Sequence, residues 1–171
     1  MEKQKFYSLW FCLLMIIIFI MQNIIPNFTE LLVLNEKAIT NFQVYRYLTA
    51  IFLHGSATHL LFNIFALFFF GLTLEKTIGT KRFLFVFLTT GIIANIISVN
   101  FYSSSLGASG AIYGIIGAIT ILRPMMMVYA FGAIMPLFLM AIIYVIADIL
   151  RSLGAFGESN IGSIAHLSGI V

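Results

Sequence analysis

Residues 57–74 read ATHLLFNIFALFFFGLTL, and they form the stretch that decides the fold. A helix needs about 20 mostly apolar residues to cross the hydrocarbon core of a bilayer, so this stretch is predicted to be a membrane-spanning helix. Two strongly polar residues interrupt it, His59 and Asn63. They are one helical turn apart and therefore lie on the same face. Because such side chains are costly in hydrocarbon, both are candidate functional residues.

The composition of the whole chain also predicts a membrane protein. Of its 171 residues, 61% are hydrophobic and 9% are charged, and the mean hydropathy is +1.08. A soluble domain has about 45–50% apolar and about 25% charged residues. The charged side chains are too few to cover a soluble surface, which excludes a secreted disulfide scaffold, a nucleic-acid-binding domain and a disordered chain. The single cysteine, Cys12, cannot form an internal disulfide.

Five further spans are predicted on either side of this helix, each from an apolar run. Pro136 lies inside the fifth span and predicts a kink there. The sixth has room for about ten residues, or about 15 Å of helix, so we expect it to be truncated at the C-terminus. The predicted fold class is an all-α bundle of six transmembrane helices in a single domain, residues 1–171. The flanking spans are Phe6–Ile25, Phe83–Phe101, Leu106–Leu122, Met125–Ile149 and a last segment from about Ile161 to Val171.

The positive charges predict which way these spans run. If the N-terminus is cytoplasmic, the cytoplasmic segments hold six basic residues and the outer segments hold three, in agreement with the positive-inside rule. We therefore expect a multi-pass protein of the cell membrane. The six are Lys3, Lys5, Lys76, Lys81, Arg82 and Arg123, and the three are Lys37, Arg46 and Arg151.

Four polar residues on three spans fall at a similar depth in this topology. The second, fourth and sixth spans all run from the outer side inward, so their first turns share one leaflet. His59 and Asn63 lie in the second span, Ser109 begins the fourth, and His166 lies near the start of the sixth. The topology predicts that they converge one to two turns below the outer surface.

The chemistry that these residue types favour is nucleophilic. A serine hydroxyl is a weak nucleophile unless an adjacent base takes its proton, and neutral imidazole is the usual base. The free N–H groups at the start of the fourth helix, beside Ser109, are suited to stabilising an oxyanion, and His59 and Asn63 are possible further donors. Gly107 and Gly110 allow another chain to approach the backbone closely.

Other protease chemistries fit the sequence less well. The His-Glu-x-x-His pattern of metalloproteases is absent, and an aspartyl protease needs two aspartates whereas this chain has only Asp148. Asp148 lies at the end of a different span from His166, which favours a Ser-His dyad over a triad. Each candidate also has a purely structural interpretation. Serine and asparagine often serve helix contacts in membranes, and Gly110, Gly114 and Gly117 are spaced as a packing face.

The residues together resemble the rhomboid family of intramembrane serine proteases. The resemblance covers nearly the whole chain and rests on the order of several short motifs. Two departures are Tyr45, where the family commonly has tryptophan, and Ser168, where many members have glycine or alanine. The motifs are Tyr45-Arg46, HLLFN at 59–63, EKTIG at 75–79, GASG at 107–110 followed by Tyr113 and Gly114, and AHLSG at 165–169.

The resemblance implies a role for each candidate residue. It makes Ser109 the nucleophile and His166 the general base of a dyad, and it places Tyr113 beside the ring of His166. It implies structural roles for Arg46 in the first loop and Glu75 at the end of the second span. The residues implied for the oxyanion hole and substrate binding are His59, Asn63, Gly107, Ala108 and the backbone N–H of Ser109.

The activity implied is hydrolysis of transmembrane segments of other membrane proteins near the outer face, after a small residue. The implied partners are these substrates and the lipid bilayer, with no cofactor, no metal and no nucleic acid. Two alternatives remain open. One is a non-catalytic rhomboid-like scaffold that binds transmembrane clients, although such members typically lack the serine or the histidine. The other is a small transporter or channel, for which the sequence offers neither paired repeats nor intramembrane charges.

Overall fold

The computed structural model describes residues 6–153 and 163–170, and they are mostly helical. Three of the described helices are long and apolar enough to cross a membrane. These are α1 (Tyr7–Ile24), the continuous helix Ala57–Ile78 and α7 (Thr80–Ser98). The continuous helix consists of α5 (Ala57–Ala66), a π-helical turn (Leu67–Gly71) and α6 (Leu72–Ile78).

Three shorter helices follow them along the chain. They are α8 (Ser109–Leu122), α9 (Leu137–Ser152) and α10, which is described over Ser163–Ile170. The first two are shorter than the length that an untilted span needs. The membrane-length helices agree with the predicted first three spans to within a few residues. Six spans in total and a truncated sixth span stay predictions, and the expected start of that span near Ile161 lies outside the described residues.

The predicted fifth span is wrong in its first half. Instead of a helix from Met125 onward, the chain forms an antiparallel hairpin of β3 (Met127–Ala130) and β4 (Ala133–Pro136). Its two turn residues, Phe131 and Gly132, both have positive φ, the backbone twist that favours two-residue hairpins. Pro136 does not kink a helix but stands directly before α9, where its missing N–H costs no helical hydrogen bond.

A second small sheet qualifies the all-α prediction. Strand β1 (Leu34–Asn35) pairs in antiparallel fashion with β2 (Ser104–Ser105). This pair joins the first loop, residues 25–56, to the segment that leads into α8. The first loop also contains the short helices α2 (Phe28–Leu32), α3 (Lys37–Thr40) and α4 (Arg46–Thr49), followed by a 3₁₀ turn (Ala50–Phe52).

Arg46 holds the first loop together from within. Its side chain is buried, and Nη1 donates to the carbonyl oxygens of Glu30 and Val33 at 2.8 and 2.6 Å. Nε donates to the side-chain oxygen of Gln43 at 2.6 Å. Carbonyl groups that would otherwise lack a donor are satisfied in this way, which is the main requirement for a buried loop.

The core forms around α8, whose small residues admit close neighbours. A Cβ atom on Gly110 would collide with Ala94 of α7, and one on Gly114 would collide with Thr90 of the same helix. A Cβ atom on Gly169 of α10 would collide with the backbone of Gly110. Helix α8 therefore packs closely against the side chains of α7 and backbone to backbone against α10, as small residues allow in membrane helices.

Glu75 joins the ends of three helices. The carboxylate is fully buried and accepts hydrogen bonds from the backbone N–H groups of Tyr7 and Ser8, which begin α1, each at 2.9 Å. It also accepts from the hydroxyls of Ser8 and Thr80, the latter being the first residue of α7. The acceptor thus satisfies N–H groups that a helix start cannot satisfy itself.

Glu75→Ala is predicted to destabilise the fold. The change leaves several buried donors without this acceptor, and hydrogen bonds to charged groups contribute about 1.5–3 kcal/mol each. We expect a loss of at least about 2 kcal/mol in the free energy of unfolding, measured by denaturant unfolding in detergent. Glu30→Ala is the matched control, since that side chain is exposed and only its backbone carbonyl contacts Arg46. Equal effects of the two substitutions would contradict the prediction.

Candidate active site

His59 and Asn63 are positioned by the first turns of α5. Ser56 caps this helix, and its hydroxyl accepts from the N–H of His59 at 3.1 Å. Asn63 is buried one turn further along, and its amide donates to the carbonyl oxygen of His59 at 3.0 Å. An asparagine amide carries two N–H donors, so one remains for another acceptor. Both side chains share one face of α5, as their spacing predicts.

The segment before α8 lies directly against the His59 ring. Gly107 has φ of +117°, and a Cβ atom there would come within 2.6 Å of Cε1 and 2.8 Å of Nε2 of His59. The N–H of Gly107 donates to the carbonyl of Ala50 at 2.9 Å, which fixes the segment. Only glycine meets both the conformational and the spatial requirement at this position.

Ser109 is the first residue of α8, and the fully buried Ala108 precedes it as the N-cap. Ala108 has no side-chain oxygen to cap the helix, so its side chain leaves the first N–H groups of α8 free to act as donors. The next residue, Gly110, is in backbone contact with Gly169 of α10. The described residues include no hydrogen bond between Ser109 and His166, although their two helices touch at this turn.

His166 is held on two sides. Its ring stacks on Tyr113 of α8, with ring centroids 4.6 Å apart and an interplanar angle of 19°. Its Nδ1 lies 3.2 Å from Oδ2 of Asp148 in α9, and the other oxygen of that fully buried carboxylate lies 3.2 Å from Nη1 of Arg151. Tyr113 also interacts electrostatically with Asp148.

Asp148 is a neighbour of His166 that the sequence analysis did not place in the candidate site. Its distance along the chain from His166 argued against a triad, but α9 and α10 pack against each other and bring the two together. The sequence contains a signal for Asp148, because this residue is the only aspartate in the chain and follows an apolar run. Arg46 and Glu75, in contrast, lie in the networks described above and not in this cluster.

His54 is a second residue that adjoins the site. Its ring is 1% exposed and packs edge-on against His59, with centroids 5.1 Å apart. Among the described residues, neither of its ring nitrogens has a hydrogen-bond partner. Its backbone is clamped by Gln22 of α1, which accepts from the N–H and donates to the carbonyl oxygen at 3.0 and 3.2 Å. His54 and Gln22 line a cleft of about 490 Å³ together with Thr29 and Ser56.

No group of three or more His, Cys, Asp or Glu side chains within residues 6–153 and 163–170 is arranged to hold a metal ion. The arrangement that is present consists of a serine at a helix start, a histidine held by a carboxylate, and donors on the neighbouring helix. These are the components of nucleophilic acyl transfer.

These features define a helical membrane protein with a polar cluster where three helices meet. The rhomboid domain family matches residues 41–171, well over half of the chain. The chain belongs to the rhomboid family, which confirms the resemblance noted from its motifs.

Several curated relatives are similar over part of their length. The chain is 37% identical to rhomboid protease GluP of Bacillus subtilis, over 74% of this chain and 24% of that protein. It is 34% identical to rhomboid-like protease 3 of Toxoplasma gondii, over 63% of this chain and 45% of that protein. A putative rhomboid protease, YdcA of Bacillus subtilis, is 42% identical over 46% of this chain and 41% of that protein. The chain therefore spans less than half the length of each of these three.

Gly107→Ala is predicted to destabilise the fold more than Gly132→Ala. Both glycines have positive φ, but a Cβ atom on Gly132 has no neighbour within 4 Å, whereas one on Gly107 meets His59. The backbone strain costs about 1–3 kcal/mol at either position, and the collision adds about 1–3 kcal/mol at Gly107 alone. Unfolding free energies in detergent provide the comparison. In the His59→Ala background, the extra destabilisation of Gly107→Ala should disappear, because the ring that the new Cβ atom meets is gone. Additive effects of the two substitutions would contradict the contact.

A pH dependence is predicted from His54. Burial, reinforced by the neighbouring His59, lowers the pKa of His54 from 6.5 to about 4. Between these values the unfolded chain binds more protons than the folded one, so stability falls as pH decreases from 6.5 toward 4. From pH 7 to pH 5 we expect the parent to lose about 2 kcal/mol more unfolding free energy than His54→Leu. Identical pH slopes for the two proteins would show that His54 titrates normally.

Proposed function

We propose that this protein is an intramembrane serine protease that hydrolyses peptide bonds in or near transmembrane segments of membrane-protein substrates. The single observation that carries this proposal is the contact between Gly110 of α8 and Gly169 of α10. That contact brings the helix of His166 against the helix turn that contains Ser109. The three relatives are named as a rhomboid-like protease, a rhomboid protease and a putative rhomboid protease, and these names support the same reaction.

The proposed first step is attack by Ser109. Its Oγ adds to the scissile carbonyl carbon, and its proton passes to Nε2 of His166, which acts as general base. The carbonyl oxygen becomes an oxyanion as the C–O bond forms. His166 then gives the proton to the leaving amine, the peptide C–N bond breaks, and an acyl-enzyme remains. Water then adds to the acyl carbon and gives a proton to Nε2 of His166. The ester bond to Ser109 breaks, and His166 returns the proton to Oγ, which regenerates the serine and releases the acid.

The oxyanion is proposed to bind between α8 and α5. The N–H of Ser109 lies at a helix start, where the backbone donors and the helix dipole favour negative charge. The ring of His59 packs against Gly107, two residues before Ser109, which supports its role as a second donor. Asn63 has one amide N–H beyond the one it donates to His59 and is proposed as a third. Gly107 and Ala108 complete this lining.

The proposed membrane placement follows the positive charges. Six predicted spans in one domain place both termini on the same side of the membrane. The N-terminus is proposed to be cytoplasmic, because the cytoplasmic segments then hold six basic residues and the outer segments three. The His59 end of α5 then lies toward the outer face of the cell membrane. Substrates are proposed to be cleaved near that face, because hydrolysis requires water that dry hydrocarbon does not supply. Cleavage after a small residue is what the family resemblance implies.

The decisive experiment is cleavage of a single-pass test substrate in proteoliposomes. Ser109→Ala and His166→Ala are each expected to reduce cleavage by at least about 1000-fold, since the nucleophile and the base act as a unit. Ser168→Ala is the matched control, because within the described part of the chain that hydroxyl donates only to the carbonyl oxygen of Ala165, one turn before it. It should retain cleavage within about threefold of the parent.

A serine-reactive fluorophosphonate offers a substrate-independent second measurement. The parent should be labelled, and Ser109→Ala should not. Cleavage that persists in Ser109→Ala would overturn the assignment of the nucleophile. Failure of the parent both to cleave and to react with the probe would instead favour a non-catalytic scaffold.

A further inference from the structure

We propose that Asp148 is the positioning residue for His166 and completes a Ser-His-Asp triad in this protein. The carboxylate accepts a hydrogen bond from Nδ1–H of His166. It so keeps Nε2 unprotonated and oriented to accept the proton of Ser109. This inference rests on the proposed protease function, which it deepens by one residue.

The geometry at Asp148 assigns a different partner to each carboxylate oxygen. Oδ2 lies 3.2 Å from Nδ1 of His166, and Oδ1 lies 3.2 Å from Nη1 of Arg151. The side chain of Asp148 has no exposed surface, whereas that of Arg151 is 35% exposed. A buried carboxylate in a membrane protein is costly unless its partners compensate for the lost water. One of these compensating contacts goes to the proposed general base, beside those that Arg151 and Tyr113 make.

The helix ends explain why these residues meet. Asp148 lies one turn before the end of α9 at Ser152, and His166 lies in the first turn of the described part of α10. The end of one helix and the start of the next therefore face each other. The helix dipole disfavours a negative charge near a helix C-terminus, so Asp148 does not stabilise α9 by itself. Arg151 in the same turn and His166 across the interface offset that cost.

The ring of His166 is fixed in two directions by these neighbours. Tyr113 stacks on its face, and Asp148 binds its edge. A histidine serves as general base through one nitrogen only if the other carries the proton, and the group bonded to that second nitrogen selects the tautomer. Tyr113 restrains the plane of the ring but does not select a tautomer. Asp148 is the group that does.

An alternative role for Asp148 is a purely structural ion pair with Arg151. The two roles predict different results for matched variants. If the ion pair is what matters, Arg151→Gln should impair the protein as strongly as Asp148→Asn. If Asp148 positions His166, Arg151→Gln should lower cleavage at least about tenfold less than Asp148→Asn does, because it leaves the carboxylate and its contact with Nδ1 of His166 in place.

The first test is kinetic. In proteoliposomes with a single-pass substrate, Asp148→Asn should lower kcat by at least about 100-fold while KM changes less than about threefold, because the tautomer, not substrate binding, is affected. Asp148→Glu keeps the carboxylate and should recover kcat to within about tenfold of the parent. Cleavage by Asp148→Asn within about threefold of the parent would overturn the proposal.

The second test does not depend on catalysis. Nitrogen-15 NMR of protein labelled at histidine should report the Nδ1–H tautomer for His166 in the parent and the Nε2–H tautomer in Asp148→Asn. The same tautomer in both proteins would overturn the proposal even if cleavage falls. A parent that shows the Nδ1–H tautomer but cleaves nothing would refute the protease function and leave the positioning role supported. If Asp148→Asn does not fold, the same two readouts on Asp148→Glu and Arg151→Gln decide.

Discussion

The backbone contact between Gly110 and Gly169 is the constraint on which the site depends. Without a Cβ atom at either position, α8 and α10 approach closely enough for Tyr113 to stack on His166. In a membrane, packing of this kind replaces the hydrophobic driving force that holds soluble helices together, since lipid tails are as apolar as the helices themselves. The proposed nucleophile and base are therefore positioned by two residues that have no chemistry of their own.

The buried polar residues away from the site stabilise the fold through hydrogen bonds to the backbone. Arg46 and Glu75 are both buried, and each gathers donors or acceptors that the backbone leaves unsatisfied. Neither could be told from a functional charge by its position in the sequence alone, because every charge near a span is costly. The partners distinguish them: Glu75 contacts helix starts, whereas Asp148 contacts a histidine side chain.

The sequence predicted some of the contacts in the candidate site and part of the fold. His59 and Asn63 share a helix face because spacing determines that locally, and Tyr113 adjoins His166 as the family resemblance implied. The hairpin at Met127–Pro136 was missed because an apolar run of that length has the same composition in a buried helix and in strands, and only the turn at Phe131 and Gly132 separates them. Asp148 was left out because contacts between helices depend on tertiary packing that chain distance does not measure.

The shared carboxylate of Glu75 also has a mechanical consequence. It ties the starts of α1 and α7 to the end of α6, so these helices have a common pivot at that end. The continuous helix Ala57–Ile78 is about 33 Å long at about 1.5 Å per residue. His59 lies about 24 Å from the pivot at Glu75, so a tilt of about 5° moves it by about 2 Å, with almost no displacement beside Glu75. The displacement caused by any rocking of this helix is therefore largest near His59, at the end where the proposed chemistry takes place.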